Sequence, residues 1–283
     1  MQAIPSKPSA AIATPPAPGA WPSAWASAAS ALRKTLAVAQ VEVWKLRRDP
    51  TELFTRAVQP ALWLVIFGEV FTRTRVIPTG PLRYLDFMAP GILAQSALFT
   101  AIFFGIAAIW ERDLGVLQKY LVSPTPRVAL VLGKALAAGI RSLAQAILVY
   151  ALVVLMGVRL RWEPQALLGV VVIIVLGSAL FSIFSLIIAC LVKTRERFMG
   201  IGQVLTMPLF FASNAIYPVS MMPRWLQVLS RLNPLTYQVD GLRALMVVGG
   251  VTAYGIGVDL AVLLGVTAGL AVLAGHLYPG LGR

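Results

Sequence analysis

The sequence predicts an all-α membrane protein with six transmembrane helices, and its composition and apolar stretches are the observations behind that prediction. Of its 283 residues, 58% are hydrophobic and 12% are charged, and the mean hydropathy is +0.81. This composition leaves too little polar surface for a soluble domain. Crossing a bilayer takes about 20 mostly apolar residues in a helix, because lipid offers no partner to an unpaired backbone amide. Five stretches meet this requirement outright, and a sixth meets it as a broken helix.

The region ahead of the first span divides into a tail and a helix. Residues 1–30 are rich in Ala, Pro and Ser, and their prolines interrupt any apolar core of the kind that a signal peptide needs. A disordered cytoplasmic tail is predicted here. In residues 31–49 apolar side chains recur at steps of three and four, with Arg and Lys elsewhere on the helical wheel. This pattern predicts an amphipathic helix in the cytoplasmic membrane interface, with a helix packed on a partner protein as the alternative.

Residues 50–283 form the predicted transmembrane domain. Its spans are 57–71, 87–110, 128–157, 166–192, a broken segment at 199–219, and 254–276. In the broken segment Pro208 and Pro218 flank a polar stretch. Because proline interrupts a helix, a kinked or re-entrant element near the outer face is predicted, with its backbone satisfied by protein or a water cavity. A short amphipathic helix on the external surface is expected after it.

Charge and rare residue types narrow the function. Lys and Arg are more numerous in the connections on the side of the N-terminus, so the positive-inside rule favours a multi-pass protein of the plasma (inner) membrane with both termini in the cytoplasm. The net charge of +13 suits an anionic lipid surface, and nothing indicates a nucleic-acid groove. Cys190 and His276 are the only cysteine and histidine, so a metal site or a Ser-His triad is unsupported.

The connection after the second span carries a short charged segment, which begins at Glu111. Leu114, Leu117 and Leu121 follow at spacings of three and four, which places them on one face of a helix that Ser123-Pro124 would end. A surface helix with two distinct faces suits a docking partner, and an ordinary solvated loop is the alternative. A phosphate-binding loop is absent, since Gly133-Lys134 is followed by alanine and lacks the upstream glycine. We therefore predict that the chain is not an enzyme and binds no cofactor or metal itself.

Charged and aromatic side chains inside the spans are candidates for function. Arg141 in the third span and Glu69 in the first are ionisable groups at membrane depth, which usually face a protein interior or a water cavity. A purely structural role in helix packing is the alternative for each. The phenylalanines of the second and fifth spans offer a surface for amphipathic molecules, although such stripes are more often packing.

Three groups of motifs carry a resemblance to a known family. They are Met88-Ala-Pro-Gly91; Glu111-Arg-Asp-Leu-Gly115 with Ser123-Pro-Thr-Pro-Arg127; and Asn214-Ala-Ile-Tyr-Pro218 with Asn233-Pro-Leu-Thr-Tyr237 and Asp240-Gly-Leu-Arg243. From Leu32 to its end the chain resembles the ATP-binding-cassette type-two exporter permeases, which include daunorubicin-resistance, nodulation-factor and polysaccharide export subunits. The resemblance implies an interfacial N-terminal helix, a cytoplasmic coupling helix after the second span and a re-entrant outer element before the last span.

The resemblance also implies a function. The chain would be the permease subunit of an exporter that moves an amphipathic drug, lipid or lipid-linked glycan, and a homodimer or heterodimer of permeases would dock separate ATP-binding subunits that hold ATP and Mg. The implied coupling residues are Glu111, Arg112, Asp113, Leu114, Gly115, Leu117 and Lys119. The implied substrate path comprises Phe99, Phe103, Phe104, Arg141, Phe210, Phe211, Asn214 and Tyr217. An ion-gradient-driven carrier and a non-transporting assembly factor are the alternatives.

Overall fold

The computed structural model describes residues 44, 48, 51–114, 127–192 and 194–277. Within these ranges the chain is helical apart from its connections and one isolated antiparallel bridge between Leu160 and Val247, so the prediction of an all-α protein is confirmed for the described residues. The predicted tail lies outside them. Of the predicted interfacial helix only two positions are described, Trp44 and Arg48, which are helical and exposed, with the guanidinium 5.6 Å from the indole centroid.

The helices of the described residues are numbered in chain order. They are α1 (Thr51–Leu62), α2 (Glu69–Thr74), α3 (Tyr84–Asp113), α4 (Arg127–Leu155), α5 (Pro164–Leu191), α6 (Arg195–Phe211), α7 (Arg224–Leu232), α8 (Pro234–Met246) and α9 (Ile256–Leu277). A π-helical segment, Trp63–Gly68, joins α1 to α2 without a break, and a 3-10 turn, Val219–Met221, precedes α7.

Five helical stretches of the described residues are long and apolar enough to cross a membrane. They are Phe54–Thr74, Tyr84–Asp113, Val131–Leu155, Pro164–Leu191 and Ile256–Leu277. The candidate for a sixth span is α6, whose 17 residues reach about 25 Å at 1.5 Å per residue, less than the hydrocarbon thickness of about 30 Å. It continues through Pro208 and ends at Phe211, ahead of a non-helical stretch up to Pro218. Six spans and a re-entrant outer element therefore stay predictions.

Helices α3 and α5 form the centre of the bundle. Within their most apolar windows 72% of α3 and 67% of α5 is buried, against 17% for both the first and the last span. Small and hydroxylated residues allow the two to approach closely, as is common in membrane helix pairs. Ser185 of α5 accepts a hydrogen bond from the Gly105 amide of α3 at 3.1 Å and donates to the carbonyl of Ile102. The outer surfaces of α1 and α9 remain available to lipid or to another subunit.

Candidate functional site

A polar cavity of about 330 Å³ lies among α1, α3, α4 and α6, and we call it the glutamine cavity. Its lining consists of Thr55, Arg56, Gln59 and Pro60 from α1; Gln95, Ser96, Phe99, Thr100 and Phe103 from α3; Gln145 from α4; and Gln203 from α6. Residues 95, 99 and 103 are spaced by four, which puts them on one face of α3. The cavity thus contains two residues of the predicted substrate path, Phe99 and Phe103.

Two glutamines of this cavity have no hydrogen-bond partner in the described part of the chain. Gln95 is 2% exposed and Gln145 is 1% exposed, and neither amide nitrogen nor amide oxygen of either side chain is paired. Leaving one such buried group unsatisfied costs about 1–3 kcal/mol, and in a membrane interior lipid supplies no substitute. The two side chains thus leave four buried polar atoms unpaired beside the cavity.

An aromatic cluster lies further along α1 and α6. The Trp63 ring is stacked on Phe67 with a centroid distance of 4.6 Å and meets the edges of Phe210 at 5.7 Å and Phe211 at 6.2 Å. Phe210 is fully buried, whereas Phe211 is 40% exposed. Tyr217 joins this region because its hydroxyl donates to the Phe211 carbonyl at 2.7 Å. Two residues of the predicted path, Phe210 and Phe211, thus contact a tryptophan at the start of the π-helical segment, and a third, Tyr217, is hydrogen-bonded to the backbone of Phe211.

The two ionisable residues singled out in the spans lie apart from one another. The Arg141 guanidinium is 5.3 Å from the ring centroid of Phe104, so two further residues of the predicted path contact each other on the α3–α4 pair. Glu69 is half-exposed and forms an ion pair with Arg73 at 3.0 Å. The structure consequently distributes the predicted path over several places and does not gather it in a single cavity.

Arg243 of α8 is the centre of a third arrangement, which we call the Arg243 cluster. The buried guanidinium lies 3.8 Å from the ring centroid of Phe87 and donates to the Phe87 carbonyl at 3.3 Å and to the Asn214 carbonyl at 2.7 Å. The hydrogen-bond pattern orients the Asn214 amide with its oxygen towards Arg243 and its nitrogen towards the carbonyl of Thr236. Burial lowers the pKa of Arg243 to about 10, which still leaves it protonated at neutral pH.

Asp240 and Gly91 extend the cluster to both sides. The Asp240 carboxylate accepts from the backbone amides of Ala253 at 2.8 Å and Tyr254 at 3.1 Å, and burial raises its pKa above the ordinary value. Gly91 of α3 packs so closely on Ala215 that an added Cβ would lie 2.5 Å from the Ala215 carbonyl oxygen. The motifs at residues 88–91, 214–218 and 240–243 therefore meet at one point, beside a cavity of about 380 Å³.

At the opposite end of α3 an ionic cluster joins several helices. Glu111 pairs with Lys134 of α4, and Asp113 pairs with Arg195 of α6 at 2.9 Å. Arg112 contacts Asp113 at 3.2 Å and donates to the carbonyl of Val192, just past α5, at 3.3 Å. Leu114, 71% exposed, follows, whereas the predicted coupling residues Gly115, Leu117 and Lys119 lie outside the described residues. The first part of the predicted coupling segment is thus attached to α4, α5 and α6.

Comparison with known proteins identifies the family. The family model described as "ABC-2 type transporter" matches residues 33–247, which is most of the chain. The chain belongs to this family. It is accordingly a transport permease subunit and a multi-pass membrane protein. Membership also implies a partnership with an ATP-binding subunit.

Named relatives agree with that assignment. The permease is 31% identical to the transport permease ycf38 of Cyanophora paradoxa. The match extends over 203 residues, which are 71% of this chain and 70% of the relative. It is 26% identical to the daunorubicin resistance ABC transporter permease protein DrrB1 of Streptomyces coeruleorubidus over 255 residues, 88% of this chain and 87% of the relative. It is also 26% identical to the inner membrane transport permease YadH of Escherichia coli K12 over 188 residues, 64% of this chain and 70% of the relative.

Several residues of the permease's site are ones that the sequence did not single out. Gln95, Gln145 and Gln203 are ordinary polar residues in the sequence, and only the convergence of three helices makes them a cavity wall. A signal was nevertheless present, because an unionised amide inside an otherwise apolar span needs a partner just as a charge does. Trp63 was likewise overlooked, although it lies four residues after Gln59 on the same helical run.

Proposed function

We propose that this permease is the membrane subunit of an ATP-driven exporter, which moves an amphipathic drug, lipid or lipid-linked glycan out of the cytoplasm or the inner leaflet. The observation that carries the proposal is the glutamine cavity next to the aromatic cluster. Gln59 and Trp63 are four residues apart on one helical run, and Gln203 and Phe210 are two turns apart on α6. A polar surface followed by an aromatic one suits a molecule with a polar head and an apolar body.

The ionic cluster supports a route from ATP to this path. In the proposal the separate ATP-binding subunit, which holds ATP and Mg, docks on the segment from Glu111 to Lys119 at the cytoplasmic face, with both chain termini on that side. Its closure would move the end of α3 against α4 and α6 through the Glu111–Lys134 and Asp113–Arg195 pairs. Two permeases, identical or different, would enclose the path between them.

Helix α3 is suited to transmit this movement because it contributes to the ionic cluster, the glutamine cavity and the Arg243 cluster. It has 30 residues, about 45 Å at 1.5 Å per residue, and its interior is packed against α5. It carries Asp113 at one end, Gln95 and Phe99 in the glutamine cavity, and Phe87 in the Arg243 cluster. A displacement of the ionic cluster would therefore also shift the α3 side of the cavity wall.

The test uses the permease co-purified with its ATP-binding subunit and reconstituted in vesicles. Vanadate-sensitive ATP hydrolysis and export of a fluorescent amphipathic drug are measured together for the wild type, Glu111→Gln and Asp113→Asn. Both variants are expected to export less drug per ATP hydrolysed while keeping their membrane level and their partner. Glu163→Gln, an exposed acid ahead of α5, is the matched control and should behave as the wild type.

Two results would contradict the proposal. Unchanged export per ATP in both variants would remove the coupling role from the ionic cluster. A preparation without any ATPase, in which transport follows a proton or sodium gradient, would favour an ion-driven carrier.

A further inference from the structure

We infer that helix α7 lies at the membrane surface and binds anionic phospholipid, with its apolar face among the acyl chains and Arg224 and Arg231 against the phosphates. The inference goes beyond the proposed function, because it assigns a lipid-binding surface and no step of export. The apolar face, which we call the α7 face, consists of four exposed side chains: Trp225, Val228, Leu229 and Leu232.

The α7 face is the side of the helix that is turned away from the rest of the chain. Spacings of three and four along the helix place its four side chains together, and Trp225 and Leu232 are 66% and 76% exposed. The opposite side carries a polar group, since Ser230 is fully buried with its hydroxyl 3.2 Å from that of Thr236. A helix on an aqueous surface has the reverse arrangement. An exposed apolar patch of this kind indicates contact with a membrane or with a partner.

Contacts of α8 place α7 at the level where the last candidate span begins. The Tyr237 hydroxyl donates to the carbonyl of Arg231 at 2.8 Å, and the Tyr237 ring is centred 5.0 Å from that of Tyr254, two residues ahead of α9. The ends of membrane spans lie near the head groups, where Trp and Tyr are enriched. Helix α8 also carries Arg243, which contacts Phe87 near the start of α3. Helix α7 therefore belongs to the end of the bundle opposite the ionic cluster.

The charges beside the α7 face favour an anionic lipid. Arg224 and Arg231 are exposed and seven residues apart, so they lie along the same edge of the face. Neither forms an ion pair with a described residue, and no acidic residue occurs between Glu196 and Asp240. Helices with Trp and Leu on one face and basic residues beside it bind anionic membranes, and a guanidinium matches the geometry of a phosphate.

A second permease is a less suitable occupant of the α7 face. In a contact with two-fold symmetry the same residues of both chains meet, which would bring Arg224 and Arg231 of each chain to one interface. These like charges would repel one another, since α7 carries no acid to separate them. A leaflet that contains anionic lipid avoids this repulsion and also covers the apolar side chains.

Spin labelling of the full-length permease tests the position of the α7 face. In a Cys190→Ala background, which removes the only native cysteine, a nitroxide is attached to Val228→Cys in nanodiscs of phosphatidylcholine and phosphatidylglycerol. Relaxation by oxygen, which concentrates in lipid, should be strong, and relaxation by a water-soluble nickel chelate should be weak. Ser220→Cys, at an exposed residue of the 3-10 turn ahead of α7, is the matched control and should show the reverse order.

Two outcomes of the spin labelling would overturn the inference. If the nickel chelate relaxes Val228→Cys as strongly as Ser220→Cys, the α7 face is in water. If neither reagent reaches Val228→Cys, protein covers the face, as a second permease would. Because Val228 is exposed, the label displaces no packed side chain, and the labelled variant should fold as the wild type.

Photoreactive lipids test the role of the two arginines. Phosphatidylglycerol and phosphatidylcholine with identical diazirine-bearing acyl chains are supplied at equal mole fraction, and their adducts on residues 219–232 are quantified by mass spectrometry. Arg224→Gln and Arg231→Gln should each lower the ratio of phosphatidylglycerol adducts to phosphatidylcholine adducts by about fivefold, the contribution of one basic residue at an anionic membrane surface. Arg75→Gln, which changes an exposed arginine ahead of α3, is the matched control and should keep the ratio of the wild type.

An unchanged ratio in both arginine variants would refute the binding of anionic lipid. Arg231→Lys, which keeps the charge, should retain most of the preference for phosphatidylglycerol, and its complete loss there would mean that the guanidinium only supports the structure. Neither measurement requires ATP hydrolysis. A failure of ATP-coupled export would therefore sink the proposed function alone, and a failure of these lipid measurements would sink this inference alone.

Discussion

Substituting Gly91 by alanine tests the contact that joins the family motifs. In α3 a methyl group at this position would lie 2.5 Å from the carbonyl oxygen, 2.7 Å from the Cα and 2.8 Å from the Cβ of Ala215. Ordinary van der Waals contact begins at 3.4 Å, so the backbone around Ala215 must move by most of an ångström. That backbone also carries the Asn214 carbonyl, which accepts from Arg243, so the movement would disturb the Arg243 cluster.

The magnitude follows from two opposed effects. Overpacking of a tight interface costs up to about 3 kcal/mol, and the upper value applies because two of the three nearest atoms belong to the backbone. Alanine in place of glycine within a helix restores about 1 kcal/mol. The expected net loss is therefore about 2 kcal/mol, which corresponds to a Tm lower by about 4–8 °C for a chain of this size.

The assay is thermal unfolding of the permease in lipid nanodiscs, followed by tryptophan fluorescence at one heating rate. Gly200→Ala is the matched control, because Gly200 is exposed on α6 and an added Cβ there meets nothing within 4 Å. The control should have the Tm of the wild type or a Tm higher by about 2–4 °C. A Gly91→Ala variant as stable as Gly200→Ala would refute the close packing of α3 on the segment around Ala215.

Three further predictions concern the ionic and Arg243 clusters. Arg243→Met should lower the free energy of unfolding by about 3 kcal/mol, because two buried carbonyls lose a charged donor, and chemical denaturation in mild detergent would measure it. Asp113→Asn should change the same quantity by less than about 1 kcal/mol, since its ion pairs are partly exposed, even though it lowers export per ATP. Burial raises the pKa of Asp240 above its unfolded value, so ionising this carboxyl lowers the stability of the fold as the pH rises from about 4 towards the folded pKa. In Tm scans at several pH values, Asp240→Asn should show a smaller decline over this range. A profile identical to that of the wild type would contradict the burial of Asp240.

How much the sequence could predict depends on whether a feature is local. The apolar stretches identified α3 and α5 as helices because length and hydropathy are properties of one segment. The Asn214 and Arg243 motifs were recognisable individually, but their contact with Phe87 joins three segments that are far apart in the chain. Nothing in one span indicates which of its faces meets another.

The glutamine cavity shows the same limit more sharply. Its polar wall comes from four helices, and no two of its glutamines are closer in sequence than 36 positions, from Gln59 to Gln95. The π-helical segment after Pro60 also alters the helical phase, since a π-helix places side chains differently from an α-helix. A wheel drawn from ideal α-helical spacing therefore misplaces Phe67 relative to Trp63 and conceals part of the aromatic cluster beside the cavity.

Taken with the contacts of α3, these features suggest why polar groups are retained inside an apolar bundle. Leucine in place of the buried glutamines would be more favourable in a membrane interior, because it has no polar group to desolvate. Burying the guanidinium of Arg243 also costs free energy. Both sets lie on or against α3, the helix whose far end enters the ionic cluster. If α3 shifts when a partner engages the ionic cluster, the Arg243 cluster would hold its opposite end, because the guanidinium donates to the carbonyls of Phe87 and Asn214. The buried polar groups along α3 would then set which of its two ends can move.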